Sequence, residues 1–260
     1  MSRPSPFTHA DAVGLLRRLG PNDELILVGG QALNFWAERY VAHLEALKEL
    51  GPFTSKDLDF CGTRKDAENV ARRLGGRFVA PSFDDATPCT GKVVVFFANE
   101  EREIDFVNIP HGIDPIKFLA SVILVEIEPG LRLRVMHPAH CMMSRIANLL
   151  DFRRDDPSAL RQLRVSVHCA RMYTDELAAS NSRAALHQNE TTFRYCLTQR
   201  ALTIVDRTGV DPFDAISTAP ALPARFHFRR YPQMRALLDQ KRSARARARG
   251  GPPARAQRTQ

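Results

Sequence analysis

The stretch DELILVGG, residues 23–30, followed at once by QALNFWAERYVAHLEALKEL, constrains the chain more than any other. An apolar run of strand length ends in paired glycines. Ala32, Leu33, Trp36, Ala37, Tyr40, Leu44 and Leu47 then recur at helical spacing until Gly51-Pro52 stops them. The pattern predicts a buried strand that turns sharply into a helix, with glycines where the backbone must be bare. Trp36 and Phe35 read as core residues of that helix.

Downstream, KDLDFCG (56–62) is a second strand, and Thr63 and Asp66 form a capping-box pattern opening a helix through Leu74. RFVAPSF (77–83) reads as a short strand. GKVVVFFANEEREIDFVNIP (91–110) reads as a hairpin turning at Asn99 to Arg102. DPIKFLASVI (114–123) suits a short helix, and LRLRVMHP (131–138) a strand. From His137 the spacing is helical: PAHCMMSRIANLLDF, PSALRQLRVSVHCARMYTDEL, RAALHQNETTFRYCLTQRALTIVDRTG and RFHFRRYPQMRALLDQ. Strands gathered before helices predict an α+β fold: a mixed β-sheet flanked by helices, followed by a helical C-terminal region. The expected divisions are a core over 1–136, a helical domain over 137–240 and a disordered basic tail over 241–260. That tail carries seven basic residues and no acidic one, so without it the net charge of +8 falls to +1. It reads equally as a solubilising end or an RNA-binding one.

No apolar run reaches membrane-spanning length, so no membrane partner is expected. MSRPSPFTHADAVG has no apolar core, which speaks against a secretory leader. Cys61, Cys89, Cys141, Cys169 and Cys196 are odd in number and form no CxxC pair; they read as reduced thiols of a cytoplasmic protein.

Chemistry concentrates in TSKDLDF, residues 54–60. Strand side chains alternate, so Asp57 and Asp59 share a face that Leu58 avoids. Two carboxylates on one face repel unless a cation joins them, and Mg²⁺ favours such oxygen ligands while leaving room for water and phosphate. Asp105, in EIDFVN, can bring a third carboxylate from another strand. Gly29 and Gly30, at the positive end of a helix, let backbone N–H groups approach an anion, and Ser55 adds a hydroxyl. The combination suits metal-assisted nucleotidyl transfer.

LVGGQALNFW, TSKDLDF and REIDFVN resemble the nucleotidyltransferase superfamily with the DNA polymerase β-like fold, and most of all its AbiEii-type toxin members. The resemblance covers roughly residues 23–150, and MHPAHCMMSRIANLL is similar to the family's helix after the core. It implies a nucleotidyltransferase-type sheet and transfer of a nucleoside monophosphate from an NTP to an acceptor hydroxyl. Gly29, Gly30 and Ser55 would contact the triphosphate. Asp57 and Asp59 would hold two Mg²⁺ ions, and Asp105 would ligate one of them and take the acceptor's proton. The implied acceptor is RNA, tRNA or a protein, in a toxin-like role with an antitoxin as partner. The chain departs from the pattern in the 26 residues between Gly30 and Asp57, an insertion that extends the helix around Glu45 to Leu50, and in Arg145, where relatives often carry lysine.

Plainer readings stand beside this one. A DxD pair also occurs at solvated strand ends, in haloacid dehalogenase-type phosphatases and in glycosyltransferases, although Cys61 replaces the Thr or Val that such a phosphatase has. Lys56 is expected to point away from the carboxylates and Lys92 to be a solvated charge. His137 and His140 lack the spacing of a zinc site. RFHFRRY (225–231) suits either nucleic-acid contact or an amphipathic helix. The rival functions are a non-catalytic nucleic-acid-binding or regulatory protein on the same scaffold, and an antibiotic adenylyltransferase.

Overall fold

Seven strands pair into one mixed sheet in a computed structural model that describes residues 6–20, 24–82, 89–153 and 156–250. The sheet-bearing elements run α1 (His9–Leu19), β1 (Ile26–Val28), α2 (Gly29–Tyr40), α3 (Glu45–Lys48), β2 (Leu58–Cys61), α4 (Arg64–Leu74), β3 (Arg77–Val79), β4 (Cys89–Phe97), β5 (Glu100–Val107), α5 (Pro115–Ser121), β6 (Ile123–Glu128), β7 (Leu131–Val135) and α6 (Pro138–Asp151). Then follow α7 (Pro157–Ser180), α8 (Ser182–Cys196), α9 (Gln199–Thr208) and α10 (Tyr231–Ala248). The fold is therefore α+β. Among the described residues no helix is long and apolar enough to cross a membrane.

The strand order is β3-β4-β5-β2-β1-β7-β6. The centre mixes directions: β2 runs parallel to β5 and antiparallel to β1, which is parallel to β7. Alternation divides β2 and β5 cleanly. Leu58, Phe60, Ile104 and Phe106 are fully buried on one face, which leaves Asp59, Glu103 and Asp105 on the other. Helix α2 packs against β2 and α6. Trp36 is 1% exposed and its indole N–H donates to Met136 O at 2.8 Å, so the expected core role of Trp36 holds. The Thr63–Asp66 capping box forms as expected, and Gly75 ends α4 with a left-handed cap.

The chain divides into two units, Met1–Cys169 and Ala170–Gln260, with the division inside α7. The expected boundary at 136 falls too early because α6 packs on α2 and belongs with the sheet. The second unit has its own core of Phe193, Phe213, Phe226, Met234 and Leu238. The buried Asn189 side chain bonds both ways with the Ser217 backbone, donating at 3.1 Å and accepting at 2.9 Å.

Several expectations need correction. The helix after Gly30 does not run on to Leu50: it stops at Tyr40, passes through a 3₁₀ turn and resumes as α3. The hairpin turn is the tighter pair Ala98-Asn99, both at positive φ (52° and 66°), so pairing begins at Glu100. Strand β6 is an addition: ILVEIE pairs antiparallel with β7. The predicted helix over 183–209 is two helices, because Thr198 caps α9 with its side chain. Part of the tail expected to be disordered is helical, since α10 continues to Ala248, where Arg245 and Arg249 pair with Asp206. Residues 251–260, and Asp23 and Phe83 of the predicted strands, lie outside the described residues.

Candidate functional site

The β1–α2 junction opens one side of a cleft of about 510 Å³. Gly29 adopts φ +64°, a conformation that L-residues rarely take. A Cβ there would stand 2.6 Å from Asp59 Cγ, and a Cβ on Gly30 would stand 2.9 Å from Ser55 Cβ. Both glycines are thus needed for close approach to the residues beside them. Helix α2 has no side-chain N-cap and no acidic residue in its first turn; at its N-terminal end the Gly30 N–H donates to the Asp59 carboxyl instead.

Sheet register supplies the acids. Val28 pairs with Asp59, Asp59 with Asp105, and Asp105 with Lys92, giving a row across β1, β2, β5 and β4. Neighbouring strands lie about 4.8 Å apart, so Asp59 and Asp105 are close on one face. Asp57 lies in the bend just before β2 rather than within the strand. Ser55 is held by a bridge to Phe7, whose N–H donates to Ser55 O at 2.7 Å while Ser55 N–H donates to Phe7 O at 3.0 Å. All six residues expected from sequence, Gly29, Gly30, Ser55, Asp57, Asp59 and Asp105, line this one cleft.

The electrostatics are those of crowded acids. Burial, then the neighbouring Asp105, push the Asp59 carboxyl up to about 7 against the pull of Arg145. Burial also raises Asp57, opposed by Lys56, and raises Asp105, opposed by Lys92. Asp105 Oδ1 is buried without a hydrogen-bond partner; Lys92 Nζ stands 3.7 Å away and bonds Glu103 at 2.9 Å. Among the described residues no three His, Cys, Asp or Glu side chains are grouped as a ready-made metal site.

Two lysines depart from expectation. Lys56 lines the cleft, because it precedes β2 and strand alternation does not govern it. Lys92 is not a simply solvated charge: it lines the cleft, and its register partner is Asp105. Helix α6 supplies a wall through Cys141, Arg145 and Asn148, spaced four and three residues apart. That spacing was available in the sequence; the direction of the face was not. Cys141 is no nucleophile here, since burial pushes its thiol up to about 12. His137 and His140 are held neutral by burial, at about 3 and about 4. No protein-family model matches the chain, and no curated protein matches it.

Proposed function

We propose that the cleft transfers a nucleoside monophosphate from an NTP to an acceptor hydroxyl, the activity implied by the nucleotidyltransferase resemblance. The observation that supports this reading best is the convergence of the Gly29-Gly30 junction with Asp57, Asp59 and Asp105 on one cleft. Its volume lies within the range of small-molecule sites.

The donor set fits Mg²⁺. Three mutually repelling carboxylates, one with an unbonded buried oxygen, are what a hard cation neutralises. Mg²⁺ is usually held by one or two carboxylates plus substrate phosphates, so a complete protein cage is not required. Asp57 and Asp59 would hold two ions, shared with Asp105, and the bound metal would supply charge neutralisation for the phosphates and the departing pyrophosphate. The chain's own groups do the rest. The Gly29 backbone N–H and the Ser55 hydroxyl bind triphosphate oxygens, while the Gly30 N–H is already held by the Asp59 carboxyl. Arg145 and Lys92 add positive charge at the cleft wall. The acceptor oxygen bonds to the α-phosphorus, the bond to the β-phosphate bridge breaks, and pyrophosphate leaves. Asp105 takes the hydroxyl proton.

The test is incubation of the full chain with each α-phosphate-labelled NTP, Mg²⁺ and total cellular RNA or protein. Label should move to an acceptor in the wild type. In Asp105→Asn transfer should fall by about 10²–10⁴, with NTP binding retained. Equal transfer by Asp105→Asn overturns the mechanism, and no transfer by a wild type that binds NTP overturns the function.

A further inference from the structure

We infer that the second unit carries a binding surface for single-stranded nucleic acid, centred on Phe228. The inference stands whether or not the cleft transfers nucleotides.

Charge comes first. Residues 170–260 hold 16 basic and 7 acidic residues, a net +9, whereas residues 1–169 hold 21 and 22, a net −1. The entire positive excess therefore lies in the second unit. Several of its arginines are occupied: Arg230 by Glu190 at 2.5 and 2.7 Å, Arg242 by Asp211 at 2.7 Å, Arg249 by Asp206 at 2.7 Å. Arg225 and Arg229 are exposed and make no ion pair among the described residues.

Between them stands Phe228, 86% exposed, while Phe226 two residues earlier is 3% exposed. The local backbone explains the contrast. Pro232 has no N–H to donate to Phe228 O, as an α-helix would require. The chain instead makes a π-turn over Phe226–Arg230, with Tyr231 N–H donating to Phe226 O. Phe226 faces the core, and Phe228 faces solvent between two arginines. Stacking of a base on an exposed ring, with arginines on the flanking phosphates, is how sequence-tolerant single-strand binders work. A second copy of this chain fits poorly, because the ring of each copy would bring arginine against arginine. Insertion into a lipid surface needs a broad apolar face, and the only other large apolar side chain exposed in this unit, among the described residues, is Leu237.

The experiment is fluorescence anisotropy of the full chain with labelled single-stranded RNA and DNA of one mixed sequence and with duplex RNA, over a salt series. Single strands should bind more tightly than duplex, and the RNA and DNA arms show which sugar is preferred. Phe228→Ala should weaken binding roughly ten- to hundredfold, as loss of one stacked base implies, while Phe228→Tyr retains it. The double variant Arg225→Ala/Arg229→Ala should lower the slope of log K against log salt by about 1.4, about 0.7 for each lost phosphate contact. Both sites are exposed, so melting temperatures serve as the folding control. The inference is overturned if wild type binds no single strand, if duplex binds as tightly, or if Phe228→Ala binds like wild type. It is also overturned if Phe228→Ala abolishes self-association or capture by anionic vesicles while nucleic-acid affinity is unchanged.

Discussion

In the first unit, acids nearly balance bases, 22 against 21, yet Asp57, Asp59 and Asp105 crowd one cleft and all have raised pKa values. In the second, bases outnumber acids 16 to 7, yet Glu190, Asp206 and Asp211 each meet an arginine. Net charge and local strain therefore run in opposite directions. The near-neutral unit holds its acids in an unfavourable arrangement that a bound cation would relieve. The strongly basic unit pairs its charges on the surface and leaves a remainder directed at solvent. A site is identified by where like charges are forced together, and a docking surface by where unpaired charge is left over.

The largest effect expected from this contrast is on stability as a function of pH. Folded Asp59 titrates at about 7, against an ordinary 3.8. Between those values the unfolded chain carries the charge and the folded chain holds the proton. The Asp59 contribution to stability therefore falls as pH rises through this window, and is flat above it. The full difference is about 4 kcal/mol at about 1.4 kcal/mol per unit, before any cation is added. Below about pH 6.5 the buried, neutral His137 and His140 drive total stability the other way, so urea denaturation of the full chain in EDTA, from pH 4 to pH 8, should show the decline as a difference in slope between wild type and Asp59→Asn. Asp59→Asn should remove most of it, and Mg²⁺ should reduce it in the wild type. Equal slopes in wild type and variant would break the first half of the comparison.

A smaller effect separates two glycines. Gly29 and Gly209 both have positive φ, +64° and +71°. A Cβ on Gly29 would overlap the Asp59 carboxyl, whereas one on Gly209, the cap of α9, would meet nothing. Gly209→Ala should cost about 1 kcal/mol, the conformational term alone. Gly29→Ala should cost roughly 1–3 kcal/mol more, from strain stored beside the site. Denaturation midpoints measure both, and equal costs would remove the close approach between α2 and Asp59.

Legibility in the sequence divides along the same lines. The glycine turn and Asp59 were readable because the need for bare backbone and strand alternation are local rules; Asp57 reaches the same cleft from the bend before β2, where alternation does not apply. Asp105 was offered as a third carboxylate from another strand, but nothing local says that β5 lies beside β2; that is a fact of long-range pairing. Lys92 was missed for the same reason: its partner lies 13 positions along the chain, across a hairpin. Lys56 was misread because the alternation rule was extended two residues beyond the strand to which it applies. The helical part of the basic tail was missed because its composition resembles disorder. What holds Arg245 and Arg249 is Asp206, on a helix 39 and 43 positions earlier.

The smallest effect, and the sharpest test of sign, lies in the Glu190–Arg230 pair. Two parallel bonds of 2.5 and 2.7 Å hold the guanidinium, and Arg230 also lies over the Phe193 ring at 5.8 Å. This partner pulls the Glu190 carboxyl below its ordinary value of 4.5. A depressed acid stabilises the folded state above its unfolded pKa, and that contribution is lost as pH falls through the folded value. The direction is opposite to that of Asp59. Both side chains keep about a third or more of their exposure, 42% and 32%, so water and salt screen the pair. Glu190→Gln should therefore cost only about 0.2–1 kcal/mol at neutral pH. The loss should shrink in high salt and fade below pH 4.5 as pH falls through the folded value, whereas the effect of Asp59→Asn should appear as pH rises and resist salt. A Glu190→Gln loss that equals the Asp59 effect, or that ignores salt, would mean the second unit also holds its charges under strain, and the distinction between the two units would fall.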